Sequence, residues 1–390
     1  MQYRQDKRNG KQLSILGFGC MRFPANKAKT EQLLLKAVER GINYFDTAYL
    51  YPGSEEILGE VFEGHGLREK VNIATKLPQV AVDTPEDFDR FFEIQKRRLR
   101  TGYIDYYLLH NISDFGQWEK LCKLGIEKWI AAKKSSGEIK QIGFSYHGSF
   151  DDFEKLVDSY DWDFVQIQYN YINSNYQAGV DGLRKAAGKS LPVFIMEPLL
   201  GGKLANLPKD AIEVLHKAKP GSTAVSWAFN WLWNDPDITL LLSGMNENSQ
   251  LDENLALAEA ALPNSFSNAQ LQTIQDIKDI FNRSFKVPCT GCNYCMPCPK
   301  KINIPACFAA YNESYALSFG AGIYAYMMSA GAMGEFPHYA SDCVNCGKCA
   351  KQCPQRIEIP KQLKNVRRRL QLPGIKKIMP FASKLMARGK

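Results

Sequence analysis

Between Leu16 and Ala260 the sequence switches eight times from a short strand-like run to a longer helix-like one. This alternation restricts the fold more than any other feature. The strand-like runs are Leu16–Gly19, Asn43–Phe45, Val71–Thr75, Ile104–Leu109, Lys140–Phe144, Phe164–Gln168, Pro192–Met196 and Ile238–Leu242. The first two helices are expected at Glu31–Arg40, capped by Thr30 and stopped at Gly41, and at Glu55–Glu63, capped by Ser54. The others are expected through Phe88–Leu99, Glu119–Lys134, Phe153–Val157 and Gly182–Ala187, in a region from Asp210 that includes Ala224–Trp233, and at Asn248–Ala260. Ahead of them, Asn9-Gly10 reads as a hairpin turn. Eight strand–helix units in this length predict an α/β fold, a (β/α)8 TIM barrel over residues 1–262. The alternative is an open doubly wound sheet, but no G-x-G-x-x-G follows the first strand.

A helix near Gln270–Phe281 leads out of this region as a linker over 263–287, and the composition then changes. Cys20, Cys122 and Cys307 stand alone, but the other eight cysteines form two runs. Cys289, Cys292, Cys295 and Cys298 are spaced C-x2-C-x2-C-x2-C, and Cys343, Cys346, Cys349 and Cys353 C-x2-C-x2-C-x3-C, each run ending in proline. The second run has the bacterial ferredoxin spacing, in which the fourth cysteine serves the other cluster. One [4Fe–4S] cluster is therefore assigned to Cys289, Cys292, Cys295 and Cys353, and another to Cys343, Cys346, Cys349 and Cys298. The first run is one residue shorter before Cys298, which leaves that end of the crossing open. Cys298-Pro-Lys-Lys-Ile-Asn-Ile-Pro305 repeats as Cys353-Pro-Gln-Arg-Ile-Glu-Ile-Pro360, so the two halves are expected to be structurally equivalent. Two four-cysteine zinc sites are the competing assignment. A mainly helical, ferredoxin-like domain is expected over 288–362, and a basic tail over 363–390.

Metal thiolates need a reducing compartment, and no apolar core with a cleavage site opens the chain, so a cytoplasmic location is expected. The formal charge of +8 belongs to the end of the chain: residues 361–390 hold ten Lys and Arg and no Asp or Glu. That segment reads either as a solvated arm or as a docking surface for an acidic electron-carrier protein or an anionic membrane face. No aromatics interleave with its charges, which argues against nucleic acid. Ser314–Gly334 is long enough to span a bilayer and carries no charge. It joins two cysteine runs that must converge, however, so buried helices covering the clusters are expected and not a transmembrane segment.

In a barrel the strand C-termini share one face, where active sites form. Asp46, Lys76 and His110 stand at three strand ends, and Tyr51 follows Asp46. Singly, they read as a cap, a solvated lysine, a satisfied polar residue and a packing aromatic. Together they make a proton-transfer site. Tyr51 is the acid, with Lys76 easing its ionisation, Asp46 holding Lys76, and His110 bonding the substrate oxygen.

Gly17-Phe18-Gly19, Asp46-Thr47-Ala48-Tyr49-Leu50-Tyr51, Asp105-Tyr106-Tyr107-Leu108-Leu109-His110 and Gly143-Phe144-Ser145 resemble the aldo-keto reductase family. So do Gln166, Pro198-Leu199-Leu200-Gly201-Gly202, Gly244 and Gln250-Leu251-Asp252-Glu253-Asn254. The resemblance implies a nicotinamide cofactor, NADP(H) or NAD(H), and reduction of a small-molecule carbonyl to an alcohol. It implies that Gly19, Met21 and Asp46 lie beside the cofactor, that Ser145 and Gln166 hold its carboxamide, and that Pro198, Leu199 and Gly201 line the pyrophosphate path. Gln250, Glu253 and Asn254 would meet the adenosine. Met196 stands where the family commonly stacks an aromatic, and Gly244 and Gln250 where many members place basic residues for a 2′-phosphate. The C-terminal region resembles the ferredoxin extension of a subgroup from anaerobes. The function expected is a carbonyl reductase whose clusters pass electrons to or from a partner. The alternative is an electron-transfer or redox-sensing protein whose barrel binds cofactor with little turnover. A flavin would couple hydride to single electrons, but no flavin fingerprint is present. Phe115 and Trp118, in the loop after His110, are candidates for an apolar substrate pocket, and exposed or packing aromatics are the equal alternative.

Overall fold

Short parallel strands that are apolar on both faces must be covered on both, and closing into a cylinder with helices outside achieves this. The computed structural model, which describes residues 1–316, 318–330, 338–372 and 374, has this arrangement in the first of its two units, Met1–Leu199 with Val225–Ser267. A hairpin of β1 (Tyr3–Gln5) and β2 (Gln12–Ser14) precedes β3 (Leu16–Gly19), β4 (Tyr44–Asp46), β5 (Asn72–Leu77) and β6 (Ile104–Ile112). Then come β7 (Ile139–Tyr146), β8 (Phe164–Gln168), β9 (Val193–Met196) and β10 (Ile238–Ser243). Strands β3 to β10 pair in parallel, in chain order, and β10 returns to β3 to close the barrel.

The two-residue strand period sorts the side chains. Tyr44, Ala74, Tyr106, Leu108, Phe164, Phe194 and Leu240 point inward and pack with Leu13 of the hairpin. Phe45, Ile73, Tyr107, Leu109, Phe144, Val165 and Ile195 point outward under the helices. Inside, Tyr44, Tyr106, Phe164 and Phe194 meet largely edge to face, with centroids 5.0–5.7 Å apart. Such pairs are worth about 0.5–1.5 kcal/mol each beyond their burial. Two residues further along the same inward rows come Asp46, Lys76, His110, Ser145, Gln166 and Met196. The aromatic plug thus forms the floor beneath the expected site.

Several helix ends differ from expectation. The first helix is Lys27–Glu39, capped by Asn26, whose side chain accepts from Lys29 N. Thr30 lies inside it, its hydroxyl turned back to the Asn26 carbonyl. Ser54 begins the next helix, Ser54–Gly64, without capping it, and donates to the Cys20 carbonyl at 2.9 Å. The single helix expected over Glu119–Lys134 is two, Phe115–Lys123 and Ile126–Ser135, because Gly125 takes a left-handed φ of 85° between them.

The second unit is Leu200–Ala224 with Asn268–Lys390. Helices Lys209–Ala218 and Asn268–Ser284 pack together. Helices Ile304–Ala316, Phe319–Ser329 and Ile359–Leu370 enclose a core that includes Val287, Phe308, Tyr326, Leu363 and Val366. The Asn312 amide accepts from Lys286 N and Val287 N and donates to the Val287 carbonyl, which fixes the chain just ahead of Cys289. The described part of the charge-free stretch, 314–316 and 318–330, contributes to two helices, with Tyr315, Phe319 and Tyr324 exposed, and 317 and 331–334 lie outside the described residues. Among the described residues no helix is long and apolar enough to cross a membrane. In helix Ile359–Leu370, Ile359, Leu363, Val366 and Leu370 are buried, while Lys361, Lys364, Arg367 and Arg368 are exposed. The rest of the expected basic tail, 373 and 375–390, lies outside the described residues.

Candidate active site and cysteine cavities

Lys76 is 1% exposed and Asp46 4%, so each charge needs a partner close by. Lys76 Nζ donates to Asp46 Oδ1 at 2.7 Å and to the Thr47 carbonyl at 2.6 Å. The same ammonium lies 5.1 Å from the centroid of the Tyr51 ring. The Tyr51 ring in turn meets His110 edge-on, with centroids 5.8 Å apart. Strands β4, β5 and β6 and the turn after β4 therefore bring the four residues together. Burial pushes the Asp46 carboxyl up, and the charge and hydrogen bond of Lys76 oppose it. Burial, the Lys76 ammonium and His147 hold His110 well below the usual imidazole range, so it is neutral at pH 7. Its ring can then offer an N–H without adding a second positive charge.

Sequence reasoning missed the support beneath Lys76. Buried Gln95 donates from Nε2 to the Lys76 carbonyl at 3.1 Å and to Glu55 at 2.8 Å, and Glu55 also accepts from Thr75 and Arg98. These residues come from separate elements, so no local motif announces them. His147, at the end of β7, was also missed. Burial lowers it to about 4, against a contact of 3.2 Å with Gln177.

Ser145 Oγ accepts from Asn111 N at 2.8 Å, which leaves its own proton to donate. Gln166 Nε2 is 3.7 Å from Met196 Sδ, and Gln166 Oε1 is buried with no hydrogen-bond partner among the described residues. A buried acceptor left in this state costs about 1–3 kcal/mol, and a carboxamide N–H would satisfy it. Gly19 pairs in register with Asp46, and Met21 lies in the short turn Cys20–Arg22 after it. Pro198 is buried and Leu199 half-buried after β9. Gly244 is exposed just beyond β10. Gln250 Oε1 accepts from Asn246 N and Glu247 N, and Asn254 Nδ2 donates to Ser243 Oγ at 3.0 Å. Glu253 is half-buried on the same helix.

Gly201 belongs to the second unit. Its φ is 69°, and an added Cβ would stand 2.2 Å from the Thr290 carbonyl oxygen. Trp118 does not line a pocket: it is 2% exposed and packs 5.0 Å from Trp162 in the outer core, where Phe115 also packs. Its place on an amphipathic helix, one turn from Leu121, decided this.

In the second unit the cysteines surround two cavities. Cys289, Cys292, Cys295 and Cys353 line one. Cys298, Cys343, Cys346 and Cys349 line the other. Ile304 borders both. Among the described residues no three cysteines, histidines or carboxylates close around the position of a single metal ion. Burial and the thiols of Cys289, Cys292 and Cys353 push Cys295 up to about 12.

The family model described as "Aldo/keto reductase family" matches residues 15–277, and that of a "4Fe-4S dicluster domain" matches 288–358. The chain is 27% identical to the uncharacterized oxidoreductase YrpG of Bacillus subtilis over 229 residues, 52% of this chain and 68% of that protein. It is 36% identical to the methylglyoxal reductase YeaE of Escherichia coli over 124 residues, 31% of this chain and 40% of that protein. The holo form of an aldo-keto reductase from Bacillus halodurans superposes with a TM-score of 0.60 at 22% identity. That superposition covers 71% of this chain and 96% of the other, and shows the shared fold.

Proposed function

Because the chain belongs to the aldo/keto reductase family and carries a 4Fe-4S dicluster domain, we propose that it reduces a small aldehyde or ketone to an alcohol with a nicotinamide cofactor, and that two [4Fe–4S] clusters exchange electrons with a partner. The observation that carries the first part is the buried Lys76–Asp46 pair beneath Tyr51 and His110. A bound nicotinamide supplies the hydride. Tyr51 supplies the proton to the carbonyl oxygen as negative charge develops there. Lys76, fixed by Asp46 and the Thr47 carbonyl, lies against the Tyr51 ring and lowers the cost of the phenolate left behind. Neutral His110 donates an N–H to the same oxygen and orients the substrate. The unpartnered Gln166 acceptor and the Ser145 hydroxyl suit the carboxamide. Neither Gly244 nor Gln250 carries the positive charge that would favour NADPH over NADH, so both cofactors belong in the assay.

The two four-cysteine cavities support the crossed assignment, Cys289, Cys292, Cys295 and Cys353 to one cluster and Cys298, Cys343, Cys346 and Cys349 to the other. Among the described residues no three of these thiols close around one ion position, a spacing that suits a polynuclear core better than a single zinc ion, which draws four thiolates to about 2.3 Å. Clusters bound here supply one-electron steps, in a reducing compartment such as the cytoplasm. The test is anaerobic turnover with an aldehyde and ketone panel, using NADPH and NADH in parallel. Alcohol formed in step with nicotinamide oxidation supports the reading. No turnover by cluster-replete protein favours instead a sensing or electron-transfer role.

A further inference from the structure

The two cysteine cavities differ in exposure, and the difference gives the cluster domain an outer side. Around the second cavity the ligand loop is open: Cys346 is exposed and Val344, beside Cys343, is 58% exposed. Asn293 on the lining of the first cavity is exposed, but the rest of that lining is buried or half-buried, and none of its four cysteines is exposed. Ile304 borders both, so the two sites are neighbours.

The surroundings of the open loop are basic. Lys300 lines the second cavity and is exposed. Lys348 stands inside the ligand loop between Cys346 and Cys349, and Lys364 follows Leu363, another lining residue; both are exposed. Of the nearby carboxylates, Glu358 pairs with Lys361 at 2.6 Å, while Asp342 accepts from Tyr339 N at 2.7 Å and keeps its charge, one against three lysines. Among the described residues none of the three lysines has an ion-pair partner, and an exposed apolar residue with such lysines near it is the pattern of a transient docking face, in which charge steers the encounter and a small apolar centre makes the contact.

We infer that this face, centred on Val344 and Cys346 and rimmed by Lys300, Lys348 and Lys364, docks an acidic one-electron carrier protein, and that the cluster of the second cavity is the one that exchanges with it. The inference rests on the two-cluster reading above. One electron passes per encounter: the carrier is oxidised by one electron, the cluster is reduced by one, and no bond forms or breaks. The electron then has a neighbouring site in the first cavity.

The test uses anaerobic full-length protein with oxidised clusters and pre-reduced flavodoxin, an acidic one-electron carrier, as the probe, followed by stopped-flow absorbance. The triple variant Lys300→Glu/Lys348→Glu/Lys364→Glu is compared with Lys209→Glu/Lys217→Glu/Lys219→Glu, which changes the net charge equally on another exposed stretch of the same unit. Iron content and dithionite-reduced EPR spectra establish that each variant keeps its clusters. Steering raises association about 10- to 1000-fold. The rim variant should therefore be slower than wild type by at least about tenfold at low salt, with a flatter salt dependence. Near 1 M salt, where the screening length is about 3 Å, the two should converge. The control variant should remain within about threefold of wild type, less than one decade of a steering effect. Equal slowing in both variants, or none in the rim variant, overturns the docking face while leaving the clusters standing. Wild-type protein without iron–sulfur signals overturns the cluster reading, and the docking inference with it.

Discussion

Removing one oxygen atom from Tyr51 separates the chemistry of the site from its architecture. Tyr51→Phe keeps the ring, and with it the edge contact to His110 at 5.8 Å and the face 5.1 Å from Lys76. The buried Lys76–Asp46 pair is untouched, so the stability change should stay below about 1.5 kcal/mol, the net worth of an ordinary hydrogen bond. The proton donor, however, is gone. General acid catalysis is worth about 10²–10⁴ in rate, or about 3–5 kcal/mol of barrier. His110 cannot take over, because burial and Lys76 hold it neutral, and a neutral imidazole is a poor acid. The loss should therefore reach about a thousandfold in kcat/KM, within the range for a general acid. The assay is steady-state carbonyl reduction, with nicotinamide affinity measured separately by fluorescence titration. Intact binding with a loss below tenfold would refute Tyr51 as the acid.

Three further outcomes follow from the geometry. His147 is buried and lowered to about 4, so between there and its ordinary value near 6.5 the unfolded chain binds a proton that the native chain does not. Stability then falls as pH drops through that window, by about 3 kcal/mol in all from this residue. His147→Asn should flatten the pH dependence of the urea midpoint between pH 7 and 5, and an unchanged slope would count against the assignment. Lys203 donates to the Cys289 carbonyl. Lys203→Met should lower the reduction potential of one cluster and spare the other, because hydrogen bonding and charge near the ligands set that potential. A potentiometric EPR titration that moves both clusters equally, or neither, would contradict it. Anaerobically purified protein should hold about eight iron atoms per chain, two four-iron clusters, and a value near four would remove one of them.

The legible parts of the sequence were those governed by short-range rules. The eightfold alternation suffices for the barrel because each strand's inward and outward rows are already written in its two-residue period. Asp46, Lys76 and His110 could be found because each continues such a row. The two cysteine runs were legible from their spacing, but the short first run left the side of Cys298 open, and only the fold places Cys298 with Cys343, Cys346 and Cys349. Helix starts were not, since Asn26 and Thr30 are both capping types and only the folded backbone decides between them. Trp118 stayed open between pocket and packing because its contact, Trp162, lies on another element. The Gln95–Glu55 support under Lys76 and the approach of Gly201 to Thr290 are likewise long-range contacts that carry no local signature.

The central claim is that the barrel moves hydride to a carbonyl and does not merely hold its cofactor. Nicotinamide deuterated at C4 in each of its two positions, an aldehyde substrate and mass analysis of the product test that claim directly. One of the two labelled cofactors should deliver deuterium to the carbinol carbon with wild-type protein. Cluster-replete protein that forms no labelled alcohol from either would contradict the account.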